Sequence, residues 1–231
     1  MLIDHTNARV LDVLENRDKA SLVSWLRQAK EQGVLDHLHE VTVDMWELYT
    51  QAIQEVLGQQ VRVVIDRFHV MKNFQELMVH ARRQIQRTLS PEENKLLKGS
   101  RWIWVTNLEN LNKEQRHAFA QVRRRFPQLK ALFLHRQRLR RIFENRHISV
   151  EEGRRRLEYW CQHGKELKLK ALEKFHQTLL RWIGPISNYF LNRSSNGQTE
   201  GFNHGIRAIL WRGYGMRNFT HFRLRVLHEF G

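Results

Sequence analysis

Cysteine is almost missing: Cys161 stands alone, so neither an internal disulfide nor a cysteine-based zinc cluster can form, and a reducing compartment is expected. With 3 prolines and 12 glycines there is little material for a long disordered linker. No apolar run reaches the ~20 residues that cross a bilayer, and the N-terminus lacks the basic stretch and apolar core of a secretory signal. The sequence therefore reads as cytoplasmic, with no membrane partner. Acids are scarce too: 24 Asp and Glu face 39 Lys and Arg, a formal charge of +15. A field of that sign attracts polyanions, which makes nucleic acid the first partner to consider. What the chain does have is core material, 41% hydrophobic and 10% aromatic over 231 residues, enough for one large domain or two small ones.

Short β-type runs alternate with helical patterns over residues 1–73, as a layered α/β domain requires. Ile3 and Val10 to Leu14 suggest a hairpin with Thr6, Asn7 and Ala8 at its turn. Leu22, Val23, Leu26 and Ala29 repeat at steps of three and four, predicting a helix over Lys19 to Gln32 that ends at Gly33. Val41 to Val43 is a brief strand before a helix from Met45 to Leu57. Val61 to Ile65 has the continuous β-branched pattern of a strand buried on both faces. Residues 74–190 read as an all-helical block. Ser90, Pro91 and Glu93 form a capping-box signature, Ser149 with Glu152 repeats it, and Pro127 separates two helices. Leu172, Phe175, Leu179, Trp182, Ile186 and Tyr189 draw one apolar stripe, read as a single helix. Residues 191–231 form a short third segment, in which Asn196 and Gly197 mark a turn before a helix carrying Glu200 in its first turn.

Asp44 and Asp66 each follow a predicted strand, the carboxyl end where ligands and catalytic groups gather in α/β sheets. The plain alternative is helix capping, with Asp44 and Glu47 forming a capping box and Asp66 an N-cap. His69 sits three residues beyond Asp66, where a packed histidine is the ordinary reading, and no further His or Cys completes a zinc site. Glu200 suits a helix dipole whatever its function, yet the small polar residues around it suit close approach to a phosphate or metal. Arginines crowd the helical block. Arg82, Arg83, Arg123 and Arg124 are candidate phosphate contacts, Arg101 with Trp102 and Trp104 a candidate stacking group, and Arg207 and Arg217 extend the basic character to the third segment. The arginine runs at 136–141 and 154–156 belong to the same pattern.

The runs Val43-Asp44-Met45-Trp46 with Tyr49, Val64 to Val70, Lys98 to Trp102, Asn196-Gly197 with Thr199 to Asn203, and Tyr214-Gly215 with Arg217, Asn218 and Phe219 together resemble the ISL-three family of insertion-sequence transposases. The resemblance spans nearly the whole chain in order. It implies a ribonuclease H-like α/β fold with a mixed sheet and a large all-α insertion, and DNA cleavage and strand transfer by three acids holding two Mg²⁺ (or Mn²⁺) ions. By resemblance Asp44 is the second acid and Glu200 the third, while Asp66 and His69 form a companion motif beside the site. The family's first acid lies on a strand upstream of Ile3 and Asp4, so the chain is expected to be a C-terminal portion that binds DNA, transposon ends and target alike, without cutting it. The alternative is a non-catalytic DNA-binding remnant that joins full-length transposase in a mixed complex and inhibits it. A homo-oligomer is the other assembly this reading allows.

Overall fold

The structure is a computed structural model describing residues 1–195 and 197–231, so Asn196 of the expected turn lies outside the described residues. The chain divides into unit 1, Met1–Asp66 with Ser194–Gly231, and unit 2, Arg67–Arg193. In chain order, unit 1 holds β1 (Leu2–Asp4), β2 (Arg9–Asp12), α1 (Lys19–Glu31), β3 (Glu40–Val43), α2 (Glu47–Leu57) and β4 (Arg62–Ile65). Unit 2 holds α3 (Arg67–Gln86), α4 (Pro91–Lys98), α5 (Arg101–Val105), α6 (Lys113–Arg125), α7 (Pro127–Glu144), α8 (Val150–Gly164), α9 (Lys170–Arg181) and α10 (Ile183–Asn192). The chain then returns to unit 1 as α11 (Gly197–Arg212) and α12 (Phe219–Phe230). The protein is mostly helical, and no helix among the described residues is long and apolar enough to cross a membrane.

Unit 1 carries two separate ladders where one mixed sheet is expected. β1 and β2 pair antiparallel, β3 and β4 pair parallel, and no backbone ladder joins the pairs among the described residues. The hairpin forms because the Asp4 carboxylate accepts the Thr6 and Asn7 amides, folding the turn back on itself; Ala8 follows at φ 51°. β4 is buried through Val63, Val64 and Ile65, whereas every residue of β3 is half-buried. Leu22 and Leu26 of α1 pack with Ala52, Ile53, Val56 and Leu57 of α2 over β4. A second small core joins Val10 of β2 to Ile206 and Ile209 of α11 and Val226 of α12. Beside it Asp12, 6% exposed, accepts from Arg223 at 2.5 and 3.0 Å and from the Trp25 indole at 2.8 Å, tying β2 to α12 and α1.

Unit 2 is built on aromatic side chains. Phe74, Trp104, Phe119, Phe133, Phe143 and Trp160 are buried, and Trp104 packs edge-on against Phe119 and Phe133. The Ser90 capping box forms reciprocally with Glu93, and Pro127 is the first residue of α7. The stripe from Leu172 to Tyr189 is not one helix: the chain breaks at Trp182, because Pro185 has no N–H to donate to Arg181 and its ring crowds that carbonyl.

At the centre of unit 2, His135 and His176 face each other with Nε2 atoms 3.2 Å apart, both 3% exposed, and His135 stacks on Trp160 at 3.9 Å. The Nδ1 of His176 has no hydrogen-bond partner among the described residues. An orphaned lone pair costs less than an orphaned N–H, so His176 donates from Nε2 and His135 accepts, carrying its proton on Nδ1. Burial first, then the neighbouring imidazole, pushes His135 down to about 3, and burial pushes His176 down to about 4.

Candidate catalytic acids and nucleic-acid surface

Asp44 and Asp66 leave the parallel ladder at the same end, each one step beyond the register pair Val43 and Ile65. Adjacent strands lie ~4.8 Å apart, so the fold delivers two acids to one edge. Their surroundings differ. Asp66 is 1% exposed, while the Asp44 carboxylate is 43% exposed, with the Arg17 guanidinium 3.9 Å away. Arg17 also lies over the Trp46 ring at 4.9 Å, and Trp46 meets Tyr49 edge-on at 4.4 Å. This explains the local pattern: the aromatic pair after the strand holds a cation over the acid, and at that exposure the pair stabilises by under ~1 kcal/mol. The spacing of Asp44 and Glu47 does not produce a capping box, because α2 begins at Glu47 with Trp46 as its N-cap and no side-chain cap. Sequence reasoning missed Arg17, which no periodicity ties to Asp44.

Glu200 occupies the first turn of α11 and is exposed. Two contacts fix where that helix runs: Ser194 Oγ donates to the Glu40 carboxylate at the start of β3, and Ile206 and Ile209 dock on the hairpin core. Glu200 therefore shares unit 1 with Asp44 and Asp66. His69 lies in the first turn of α3 in unit 2, half-buried, with its ring 6.0 Å from that of Phe68. Among the described residues no three Asp, Glu, His or Cys side chains are grouped closely enough to hold a metal ion. The carboxylates suit a hard divalent cation in chemical type, but not in grouped number.

The arginines sort by environment. Arg82 is 8% exposed and donates to the Leu97 carbonyl at 3.3 Å, so it is spent inside the helical block and is not a surface contact. Trp104 is buried too, its indole on Ser100 Oγ at 2.9 Å, and cannot stack on a base. Arg83, Arg123 and Arg124 are exposed, and Arg101 lies over the exposed Trp102 ring at 5.2 Å. Arg154 pairs with Glu158, and Arg155 and Arg156 share Glu152, a helix face paired within itself. In unit 1, Arg207 and Arg217 are exposed.

With this arrangement in place, comparison with known proteins supplies the lineage. The ISL3 family profile, described as "Transposase", matches residues 1–226, and the chain belongs to that family of transposases. It is also 22% identical, over its full length, to the transposase for insertion sequence element IS1001 of Bordetella parapertussis, of which it spans 56%. No solved structure matches the chain.

Proposed function

We propose that the chain is the DNA-handling and partly catalytic portion of an insertion-sequence transposase with a ribonuclease H-like core. In this reading Asp44 and Glu200 are two of the acids that hold Mg²⁺ or Mn²⁺ for cleavage and strand transfer. In the same reading Asp66 and His69 are a companion motif, and the proposed DNA contacts are Arg83, Arg101, Trp102, Arg123 and Arg124 in unit 2 and Arg207 and Arg217 in unit 1. The observation that carries the reading is a family match along residues 1–226 combined with acids at one end of a parallel strand pair in an α/β unit. The metal, when bound, polarises the phosphoryl group and activates the attacking oxygen. What this chain's residues supply is a solvent-open carboxylate at 44, held against Arg17, and a second on a helix anchored to the hairpin.

In this reading the chain on its own binds DNA and does not cut it. The second reading is a non-catalytic remnant or an inhibitor that enters a mixed complex with full-length transposase. The test is a binding titration on duplex DNA over a range of salt, with a nicking and strand-transfer assay in Mg²⁺ and Mn²⁺. Affinity should fall steeply and linearly on a log–log plot as counterions are released, with no nicked product. Metal-dependent nicking abolished by Glu200→Gln would overturn the inactivity, and absence of binding at moderate salt would overturn the DNA reading. Asp44→Asn separates the two readings, since it weakens metal binding only under the first.

A further inference from the structure

The end of α11 presents two aromatic rings to solvent where the fold has no use for them. Trp211 is 85% exposed and Tyr214 98% exposed, and neither ring makes an aromatic or cation contact among the described residues. Tyr214 moreover sits at φ 51°, in the left-handed region. The geometry is a helix-ending motif in which Gly215 N donates to Leu210 O at 3.0 Å and Tyr214 N to Trp211 O at 3.2 Å. Glycine ordinarily fills that left-handed position, and an aromatic residue there is strained. Arg193 adopts a similar conformation at φ 58°, but its guanidinium makes two hydrogen bonds to the Phe143 and Asn145 carbonyls. Tyr214 has no such compensation among the described residues.

The base of this turn is firmly built. A Cβ on Gly213 would lie 2.7 Å from Met216 Cγ, so the chain must approach itself closely, and Met216 packs on the core formed by Val10, Ile206, Ile209 and Val226. The rings thus project from an anchored turn. Their charge environment has one sign: Arg207, Arg212 and Arg217 are exposed, and none forms an ion pair among the described residues. Glu200, His204, Arg207 and Trp211 follow one another at steps of four, three and four, which places them on one exposed face of α11.

We propose that Trp211 and Tyr214 form a stacking platform for an unpaired nucleobase of DNA, with Arg207, Arg212 and Arg217 holding the flanking phosphates. This rests on the DNA reading above and adds a position to it. Eleven residues of helix separate Glu200 from Trp211, a rise of roughly 16 Å, or about five base steps of duplex. On a strand running parallel to α11, the base taken up by the platform lies about five nucleotides from a phosphate held at Glu200. Exposed aromatic faces beside arginine bind any base without reading its edges, so the platform recognises unstacked DNA and not a sequence.

The test compares the full chain's affinity for a 20-base-pair duplex and for the same duplex with one unpaired thymine in its middle. Stacking one base predicts a preference for the unpaired site of roughly fivefold to a hundredfold. Trp211→Ala with Tyr214→Ala should bring the ratio of the two dissociation constants close to one, whereas Trp211→Phe with Tyr214→Phe should keep it. Tyr214→Gly should lose part of the preference while its denaturation midpoint equals or exceeds wild type, since glycine takes the left-handed conformation freely. No preference in the wild type, or one that survives the double alanine variant, overturns the platform and leaves the DNA reading standing. Loss of self-association in that variant with an unchanged ratio also overturns it, by assigning the rings to a protein contact. If the wild type binds neither duplex, both readings fall.

Discussion

The His135 and His176 pair fixes how unit 2 responds to acid. Each ring is neutral in the native state because a proton would be buried beside a second imidazole, with Arg138, His163 and Lys165 adding positive charge nearby. In the unfolded chain both titrate near 6.5. Between that value and the native values of about 4 and about 3, the unfolded state binds more protons, so stability is fully present above pH 6.5 and is lost as the pH falls. At pH 5 the unfolded imidazoles are almost wholly charged and the native ones are not. The loss there is about 2 kcal/mol per histidine and about 4 kcal/mol for the pair, whatever the native values are below 5. The assay is urea unfolding at pH 7 and pH 5, followed by tryptophan fluorescence, with Trp160 stacked on His135 reporting from the site. His176→Leu removes one titrating group at similar volume and should cut the difference between the two pH values by about 2 kcal/mol, all other groups cancelling. An identical pH dependence in both proteins, or native imidazole carbon signals that titrate near pH 6.5, would refute the reasoning.

Gly164→Ala tests the same site sterically. The new Cβ would stand 2.2 Å from His176 Cε1 and 2.6 Å from His135 Nε2, and overpacking should cost about 1–3 kcal/mol, read as a lower denaturant midpoint with an unchanged slope. Arg223→Leu tests the tie between β2 and α12. It leaves the Asp12 carboxylate, 6% exposed, with the Trp25 indole, the Val13 N–H and the nearby Met1 ammonium but no guanidinium, and should destabilise unit 1 by about 1–3 kcal/mol, a value reduced because the Arg223 side chain is 39% exposed. Equal midpoints for this variant and wild type would mean that water replaces the guanidinium at no cost.

Local signals were legible and non-local ones were not. The hairpin turn, α1, the Ser90 box and the junction at Pro127 rest on residues within four positions of one another, and spacing reads such contacts directly. The stripe from Leu172 to Tyr189 misleads because periodicity records which face is apolar and ignores that Pro185 lacks a donor. Asp44 and Asp66 were placed correctly at strand ends, since β-branched runs end where polar residues begin, but their different exposure depends on packing from distant elements. The pairs His135 with His176, Asp12 with Arg223, and Arg17 with Asp44 are separated by 41, 211 and 27 positions, and no pattern in the chain marks them. In the sequence Tyr214 stands out only as part of a motif, because its strain is a backbone property that side-chain chemistry does not reveal.

Charge shows why density along the sequence is a poor guide to a DNA surface. One of the two densest runs, Arg154 to Arg156, stands on α8 beside Glu151, Glu152 and Glu158, three cations against three acids, and every one of those arginines is ion-paired. The run at 136–141 is structural in part, since Arg136 is 3% exposed and Arg140 is held by Glu109 and Glu144 while Arg138 and Arg141 are exposed; in the other triple, Arg125 pairs with Glu93 while Arg123 and Arg124 are exposed. Between Gly201 and His228, by contrast, the chain has five arginines and no acid, and of the five only Arg223 has an ion-pair partner among the described residues. Counterion release depends on cations that reach phosphate, not on cations already paired. The sparse arginines of α11 and the turn after it therefore outweigh the crowded ones on α8. They stand on α11, which carries Glu200 in its first turn and Trp211 near its end, and on the turn after it, which carries Tyr214.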